Sequence, residues 1–385
     1  MWLDQPRNPN SPLAGLKVVE LARVLAGPWA GQILSDLGAD VIKVEGPEGD
    51  GTRKWGPPWV ERAGPDGTVQ REAAYYHSTN RGKRSIVADF AAAEDLARVK
   101  ALIAGADVVI ENFKTGSLAK FELDYATLSA ANPRLVYCSI TGFGQTGPRA
   151  CEAGYDFVIQ GMSGFMALTG EPEGQPMKTG VSISDLTCGL YSVIGIQAAL
   201  AMRERTGRGQ QVDMALFDCS VGLLASQAMH YLVTGENPPR MGNLHAQVSA
   251  YGVFPTSDDP VILAPANDGL FRKLLSMLGR DDLLDDPRFA TNEARLAHRV
   301  ELDAIIAAET AHRDRAELLK QCAEAGIPAG PIHTVSQVFA DPQVSARGMR
   351  IELDGLPGVR SPLRFSDAEL ALDRPSPMLG EDNAG

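Results

Sequence analysis

The chain has one carboxylate, Asp185, in a setting that could serve chemistry, within the stretch GVSISDLTCGL. It follows a serine-containing turn and precedes a long apolar segment with helical spacing. A carboxylate there can cap the helix, because its oxygens accept the free N–H groups of the first turn. The same position can hold a reactive carboxylate, so these residues alone leave both roles open.

Basic residues form two clusters that could hold an anionic ligand. The first is NRGKRS, residues 80–85, which contains Arg81 and Lys83, and the second consists of Lys114 and Lys120. Charges at a strand entrance are often merely solvated. Against that interpretation, the glycine inside NRGKRS lets the backbone approach a ligand closely, and phosphate groups would suit the cluster.

Several familiar kinds of site are missing from the sequence. The first strand–turn–helix unit, at ARVLAGPWAG, lacks the GxGxxG motif, and the chain contains no GxxxxGK[ST] motif, which argues against NAD and ATP enzymes; it also contains no GxSxG elbow. The six histidines lack the spacing of metal ligands, so we predict no metal site. Cys188 could be a thiol nucleophile, but a small buried apolar role is the better interpretation.

The first half of the chain alternates strands with helices. Residues 16–21 predict a strand, a glycine turn and a helix over 29–37 follow, and residues 41–44 predict a second strand. Such a βαβ unit has parallel strands. Further strands are predicted in KRSIVADF, DVVIENF and RLVYCSITGFG. The pattern indicates an α/β fold with a parallel sheet covered on both faces and ligands at the strand ends.

The remaining segments predict a loop and a second region. Residues 47–68 are rich in glycine, proline and charge, which is typical of a long loop over a sheet edge. A helix is expected from Leu186 to about Arg205. Beyond it, a hairpin and amphipathic helices indicate a smaller α+β region, in YGVFPTSDDPVILAPAN, DGLFRKLLSMLG, ARLAHRVELDAIIAAETAH and DRAELLKQCAEAG.

Composition is that of a globular protein, with 385 residues, 44% hydrophobic and 22% charged. The net charge of -12 offers no general attraction for nucleic acid or an anionic membrane. The longest apolar stretch, Cys188 to Met202, is shorter than the roughly 20 residues that span a bilayer. The N-terminal segment lacks export-signal features, and the five cysteines are scattered, so we expect a cytoplasmic protein.

Longer motifs carry a specific resemblance, which extends in register over nearly the whole chain. They are LAGLKVVELARVLAGPWAGQILSDLGADVIKVEGPEGD, NRGKRSIVADF, ADVVIENF, SITGFGQTGP, GYDFVIQGMSGFM, GVSISDLTCGLYS and GRGQQVDMALFD. In these stretches the chain resembles the family III (CaiB/BaiF) CoA-transferases. The resemblance implies an interlocked homodimer in which each chain has a Rossmann-like large domain with a parallel sheet and a smaller α+β domain. Projected onto this chain, the large domain covers residues 1–215, a linker and small domain cover 216–334, and residues 335–385 return to the large domain.

The resemblance also implies a reaction. The acid that matches Asp185 is the family's nucleophile, so we expect transfer of coenzyme A from an acyl-CoA thioester to a carboxylic acid through a covalent aspartyl-CoA intermediate. A helix N-terminus suits this role, because its N–H dipoles favour an anion and can assist oxyanion formation. Cap and nucleophile are then compatible roles. Coenzyme A enters as a substrate, and we expect no permanently bound cofactor.

Coenzyme A contacts follow from the matching motifs. They are implied for Arg23, Val24, Leu25, Ala26, Arg81, Lys83, Asn112, Phe113, Lys114 and Lys120. Many relatives have Arg-Pro-Gly after Asn-Phe, and a further arginine where this chain has Lys120. A lysine keeps the positive charge but loses the planar fork of arginine, which weakens the expected phosphate role of both lysines.

The same family contains acyl-CoA racemases, which use a histidine in the motif that reads AGYDFVI here. Tyr155 takes the place of that histidine. A phenol, with a pKa near about 10, is a poor base for the α-proton of a thioester. Asp156, next to Tyr155, could be a substitute base, but along a strand its side chain would face the opposite side of the strand from Tyr155. We therefore favour transfer, with an acyl-CoA racemase or isomerase as the alternative.

The acceptor acid is suggested by the stretch RMGNLHAQVSAYGVF. It is similar to the small-domain loop of members that handle dicarboxylates such as succinate, malate, mesaconate or glutarate. Arg240 and His245 within it could bind a second carboxylate, or could be surface residues. The glycine-rich loop of the family's formyl-CoA and oxalate members is missing, which makes that substrate pair a weaker expectation.

Overall fold

The computed structural model describes residues 2–64 and 67–383. The chain forms two compact units. The larger unit comprises Met1–Met166, Lys178–Glu236 and Gln343–Gly385, and the smaller comprises Ala167–Met177 and Asn237–Pro342. The larger unit extends past residue 215, because the helices that follow this residue pack within it.

The strands, numbered along the chain, are β1 (Lys17–Glu20), β2 (Asp40–Glu45), β3 (Trp59–Ala63), β4 (Val69–Ala73), β5 (Arg84–Val87), β6 (Val108–Glu111), β7 (Val136–Thr141), β8 (Gln211–Ala215), β9 (Gly252–Phe254), β10 (Val261–Leu263), β11 (Ala329–Pro331), β12 (Arg350–Leu353) and β13 (Leu356–Val359).

The α-helices are α1 (Ala26–Asp36), α2 (Ala74–His77), α3 (Ala93–Ala104), α4 (Tyr125–Ala131), α5 (Asp156–Met162), α6 (Phe165–Leu168), α7 (Ile183–Thr206), α8 (Leu216–Leu223), α9 (Ala225–Thr234), α10 (Asp268–Leu278), α11 (Asn292–Ala297), α12 (Arg299–Thr310), α13 (Arg315–Ala325), α14 (Val335–Ala340) and α15 (Pro342–Ala346).

The larger unit is built on a six-stranded sheet in the order β5-β2-β1-β6-β7-β8, with every neighbouring pair parallel. The predicted βαβ unit is β1–α1–β2, in which Val18 lies beside Val41. One core packs α1 and α7 on the sheet, and a second packs α3 and α4 on the other face. The predicted parallel sheet, covered on both faces, is confirmed. Its valine and isoleucine runs are buried on both sides.

Helix α7 is the longest helix among the described residues, with 24 residues. It ends at Gly207, whose φ of 72° suits glycine and whose N–H bonds to the carbonyl of Arg203. By length and composition alone it could cross a membrane, a test that core helices also pass. Its buried side chains belong to the core that it shares with α1.

The smaller unit contains an antiparallel sheet in the order β11-β10-β9. Strands β9 and β10 form the predicted hairpin. Helices α10, α12 and α13 pack around a core that includes Phe271, Phe289 and Leu302. The sequence predicts one helix through residues 294–312, but the structure has two helices there, because the helix is interrupted at His298 between α11 and α12.

The segment predicted as a loop between residues 47 and 68 is more ordered than expected. Gly51–Lys54 form a 3-10 turn, and β3 pairs antiparallel with β4. Side chains alternate between more and less exposed along β3, as the pleat of a strand requires. The prediction of an irregular loop is wrong for these residues.

Candidate functional site

Asp185 lies in the first turn of α7, which begins at Ile183 after Ser182 at the N-cap. It is therefore not the cap, and that interpretation is wrong. The side chain is partly buried, and the hydrogen bonds of the described residues include none to its carboxylate. Burial raises the pKa of Asp185 to about 7, and the negative charge of Asp156 adds to that effect.

A close helix contact turns this carboxylate toward the first β–α connection. Asp185 and Gly189 are four residues apart, so they share one face of α7. A Cβ atom on Gly189 would lie 2.7 Å from the carbonyl oxygen of Ala26 and 2.9 Å from Cδ1 of Trp29. The two helices approach closely there, with the side chain of Trp29 against Gly189. The face that carries Asp185 is therefore packed on the beginning of α1.

The connection from β1 to α1 is held in an unusual backbone conformation. Val24 has φ of 71°, a region that a β-branched residue rarely adopts. Its N–H donates to the carboxylate of Asp50, at 3.1 Å from Oδ2. Asp50 is fully buried and also pairs with Lys43, at 3.0 Å. Backbone strain of this kind persists only where the surroundings enforce it, and it is concentrated at functional sites.

Residues from two predicted motifs meet beside this connection. The N–H of Arg23 donates to Oδ1 of Asn112 (2.9 Å), and Nδ2 of Asn112 donates to the carbonyl of Arg23 (2.6 Å). The guanidinium of Arg23 lies over the ring of Phe113, 5.0 Å from its centroid. The ends of β1 and β6 are thus tied together. Leu25 and Ala26 complete the connection but have buried side chains, so only their backbone can meet a ligand.

Of the predicted basic residues, Lys114 and Lys120 are exposed. Lys120 lies over the ring of Phe121, 4.7 Å from its centroid. Lys114 lies at a cavity of about 210 Å³ whose lining includes Glu111 and Ser139. Burial raises the pKa of Glu111 to about 7.

Arg81 and Lys83 are not available to a ligand. The guanidinium of Arg81 pairs with Asp36 at 2.6 Å and donates to the carbonyl of Val359 at 2.8 Å. The ammonium group of Lys83 is fully buried, 2.8 Å from Glu20. The prediction that these two residues bind coenzyme A is wrong, because their charges already neutralise buried carboxylates.

Asp156 does not lie on a strand. It begins α5, and its Oδ1 accepts the N–H of Ser184 at 2.9 Å. The inference that it faces away from the site is therefore wrong, since it contacts the residue next to Asp185. Tyr155 precedes it at the N-cap and is 66% exposed.

Arg240 and His245 lie in the smaller unit. Nε and Nη2 of Arg240 donate to the carbonyls of Glu171 (2.8 Å) and Gly174 (2.7 Å), which holds that turn. His245 packs its ring on Tyr251 at 5.1 Å, and its Nδ1 accepts the N–H of Gln247 at 3.1 Å. Each residue therefore has a structural role within its own unit.

Comparison with known proteins identifies the family. The model of CoA-transferase family III matches residues 13–383. The chain belongs to this family. Among its relatives, a succinate–glutarate CoA-transferase of Agrobacterium fabrum is 56% identical over 99% of this chain and 96% of its own. An acetyl-CoA:oxalate CoA-transferase of Acetobacter aceti is 38% identical over 98% of this chain and 96% of its own.

A solved structure agrees with these relatives. The crystal structure of a CaiB/BaiF family protein from Brucella suis has a TM-score of 0.88 and 59% identity, and covers 97% of this chain and 98% of that one. The family III chain is thus a CoA-transferase, which moves coenzyme A from an acyl-CoA thioester to a carboxylic acid. The preference for transfer over racemisation is confirmed.

Three residues of the transferase site were not found from the sequence. Asp50 supports the strained connection, and Gln160 donates to Asp156 at 2.7 Å. Tyr75 on α2 lies near Ser182, at the N-cap of α7. Only Gln160 has a local signal, because it follows Asp156 at the spacing of one helical turn. Within the described part of the chain, no cluster of His, Cys, Asp and Glu could hold a metal ion.

Proposed function

We propose that Asp185 is the nucleophile of the transfer and that it forms a covalent aspartyl-CoA thioester. The observation that carries this proposal is a partly buried carboxylate without a hydrogen-bond partner among the described residues, on the helix face packed against the β1–α1 connection. A structural carboxylate in such a place is normally paired. A free carboxylate can approach a thioester without first breaking a bond.

The reaction proceeds through two anhydrides. The carboxylate of Asp185 attacks the donor thioester, which releases coenzyme A thiolate and leaves an acyl-aspartyl anhydride. The thiolate attacks the aspartyl carbonyl, which frees the donor acid and leaves the aspartyl-CoA thioester. The acceptor carboxylate attacks that thioester and expels the thiolate again. The thiolate then attacks the acceptor carbonyl of the new anhydride, giving the product thioester and restoring Asp185.

The site has to position the reacting groups, and the reaction needs no separate source of free energy. One thioester replaces another, so the overall reaction is close to thermoneutral. A carboxylate is a weak nucleophile, so the main way to lower the activation barrier is to hold it beside the electrophile. For well-oriented groups this lowers the barrier by up to about 7–11 kcal/mol. N–H groups at the start of α7 can stabilise the oxyanion that develops on the attacked carbonyl.

Coenzyme A binds, in this proposal, across the ends of β1 and β6. Hydrogen bonds join Arg23 to Asn112 there, and the guanidinium of Arg23 makes a cation–π contact with Phe113. Backbone groups of residues 24–26 line the connection, and exposed Lys114 and Lys120 supply positive charge for the phosphates. The chain carries a net charge of -12, so such local cations have to provide the attraction.

The acceptor is a dicarboxylate. Support comes from the succinate–glutarate CoA-transferase at 56% identity, and the lower identity of 38% to the oxalate enzyme favours a longer diacid such as glutarate over oxalate. Within the smaller unit, Arg240 would offer its remaining nitrogen, Nη1, to the second carboxylate, with His245 as a further contact. Glutarate and pentanoate differ by one terminal carboxylate and form a matched pair of acceptors. We expect glutarate to be preferred, with the preference reduced in Arg240→Ala; equal rates with both acids would contradict the assignment.

The transferase works as a homodimer, and interlocking of its chains is the form that the resemblance implies. Large apolar side chains on α7 and α9 are between 43% and 75% exposed, namely Leu190, Tyr191, Ile194, Leu232 and Val233. Exposed large apolar side chains of this kind are typical of protein interfaces. Sedimentation equilibrium tests this, and a monomer would contradict it. The cytoplasmic location stays a prediction.

Replacement of Asp185 tests the nucleophile. Asp185→Asn preserves the shape of the side chain, and we expect it to abolish transfer from succinyl-CoA while calorimetry still detects coenzyme A binding. Substantial transfer by a clean preparation of the variant would refute the proposal. A separate incubation in deuterated water without acceptor tests for isomerase chemistry, and we expect no exchange of the α-hydrogen.

A further inference from the structure

The beginning of α7 is held by a residue from another helix. Ser182 occupies the N-cap but makes no capping bond. The N–H of Ser184 donates to Oδ1 of Asp156 at 2.9 Å. Asp156 therefore satisfies one of the free N–H groups of the first turn, in place of a local cap. The residue that it holds is the immediate neighbour of Asp185.

The second oxygen of Asp156 extends this support along the preceding segment. Oδ2 accepts Nε2 of Gln160 at 2.7 Å. Gln160 is fully buried, and its Oε1 accepts the N–H of Thr179 at 2.9 Å. Asp156 and Gln160 thus fasten both ends of residues 179–184, the segment that leads into Asp185. A buried amide bonded at both ends leaves this segment little freedom.

The charge of Asp156 also reaches Asp185. Burial is the larger cause of the raised pKa of Asp185, and the second is the negative charge of Asp156. Among the described residues, the other titratable groups facing this end of α7 are Tyr75 on α2, Cys188 on α7 and Cys219 on α8. None of these is a carboxylate, so Asp156 supplies the like charge.

This arrangement has a consequence for the nucleophile. Two carboxylates held close together repel each other when both are ionised. Formation of the aspartyl anhydride removes the charge of Asp185 and transfers it to the coenzyme A thiolate, so the repulsion by Asp156 is relieved in that step. The repulsion raises the free energy of the resting enzyme and weakens as Asp185 loses its charge, so it favours the attack by Asp185.

We propose that Asp156 is a positioning residue of the transferase, which fixes the first turn of α7 through Ser184 and holds a negative charge beside Asp185. The proposal rests on the role of Asp185 given above. It assigns Asp156 a role in the chemical step and none in contact with coenzyme A.

Asp156→Asn tests the role of the charge, because asparagine keeps the acceptor for the N–H of Ser184. The readout is kcat/KM for succinyl-CoA as a function of pH, with kcat and KM resolved separately. We expect the acid limb of the profile to move to lower pH, kcat to fall about 10- to 100-fold, and KM for succinyl-CoA to stay unchanged. Asp314→Asn is the matched control, since Asp314 caps α13 by accepting the N–H of Glu317.

Gln160→Met separates position from charge. It removes the hydrogen bonds of the Gln160 amide to Asp156 and Thr179 but leaves the carboxylate of Asp156, so kcat should fall while the acid limb stays near its wild-type pH. A limb that stays in place in Asp156→Asn would overturn the proposal, and so would a raised KM with unchanged kcat. Asp185→Asn is measured in parallel. If it retains transfer, the proposed nucleophile fails; if it is inactive while Asp156→Asn keeps the wild-type profile, only the present inference fails.

Discussion

Substitution of Gly189 by alanine probes the contact between the helix face of Asp185, the proposed nucleophile, and the β1–α1 connection. The added Cβ would stand 2.7 Å from the carbonyl oxygen of Ala26, which belongs to the backbone and cannot rotate away. It would also lie 2.9 Å from Cδ1 of Trp29. Normal contact begins near 3.4 Å, so α7 has to move away from α1 by several tenths of an ångström or more.

The expected cost can be divided between stability and rate. Overpacking a well-filled helix contact costs about 1–3 kcal/mol, partly offset by the gain of about 1 kcal/mol when glycine becomes alanine inside a helix. The melting temperature should therefore fall by only a few degrees. Activity should suffer more, because a displacement of about 1 Å between reacting groups can cost about 100-fold in rate.

The assay compares kcat/KM for succinyl-CoA with the thermal midpoint. Gly330→Ala is the matched control, because a Cβ at that residue meets no atom within 4 Å. We expect Gly189→Ala to lose about 10- to 100-fold in kcat/KM while it stays folded, and the control to match wild type. Wild-type kinetics in Gly189→Ala would show that the contact does not position Asp185, and the argument from the packed face would fail.

Three further outcomes follow from the site. Because the pKa of Asp185 is raised to about 7 and attack needs the ionised form, kcat/KM should fall as pH drops through about 7. A profile that stays flat down to about pH 5 would contradict this. Asn112→Ala removes both bonds to Arg23, each worth about 1 kcal/mol, so KM for acyl-CoA should rise about tenfold or more with little change in kcat; a loss confined to kcat would argue against a binding role. Val24→Gly should leave the melting temperature equal or higher, because relief of about 1–2 kcal/mol of strain exceeds the entropy cost of about 0.5–1 kcal/mol; a clear drop would disprove the strain.

The parallel sheet and α7 could be predicted because their signals are local. Runs of valine and isoleucine bounded by glycine turns are the signature of buried strands, and residues 17–20 and 40–45 follow it. The spacing of apolar residues predicted a helix from Leu186 to about Arg205, which is nearly the full length of α7. The position of Asp185 at the start of that helix followed directly.

The fate of the basic cluster could not be predicted, because it depends on distant partners. Arg81 pairs with Asp36, 45 residues earlier, and Lys83 with Glu20, 63 residues earlier. Within NRGKRS nothing distinguishes a lysine that faces a phosphate from one buried beside a carboxylate. The sheet decides this, since β5 lies next to β2 and brings the cluster into the interior.

Asp156 illustrates the opposite error, in which a local signal misled. The residues after it include Val158 and Ile159, whose branched side chains favour strands. They form α5 instead, where Asp156 bonds to Gln160 one turn later in the same helix and to the distant Ser184. The strained φ of Val24 likewise depends on Asp50, 26 residues away, and leaves no trace in the local sequence.

The most direct test of the central claim is intact-protein mass spectrometry after the transferase is mixed with succinyl-CoA without an acceptor. Wild type and Asp185→Asn are compared, and the modified residue is located by peptide mapping. The account predicts a coenzyme A or acyl adduct on wild type alone, mapped to Asp185. An adduct on another residue, or transfer by a wild-type enzyme that never carries an adduct under rapid quenching, would contradict it.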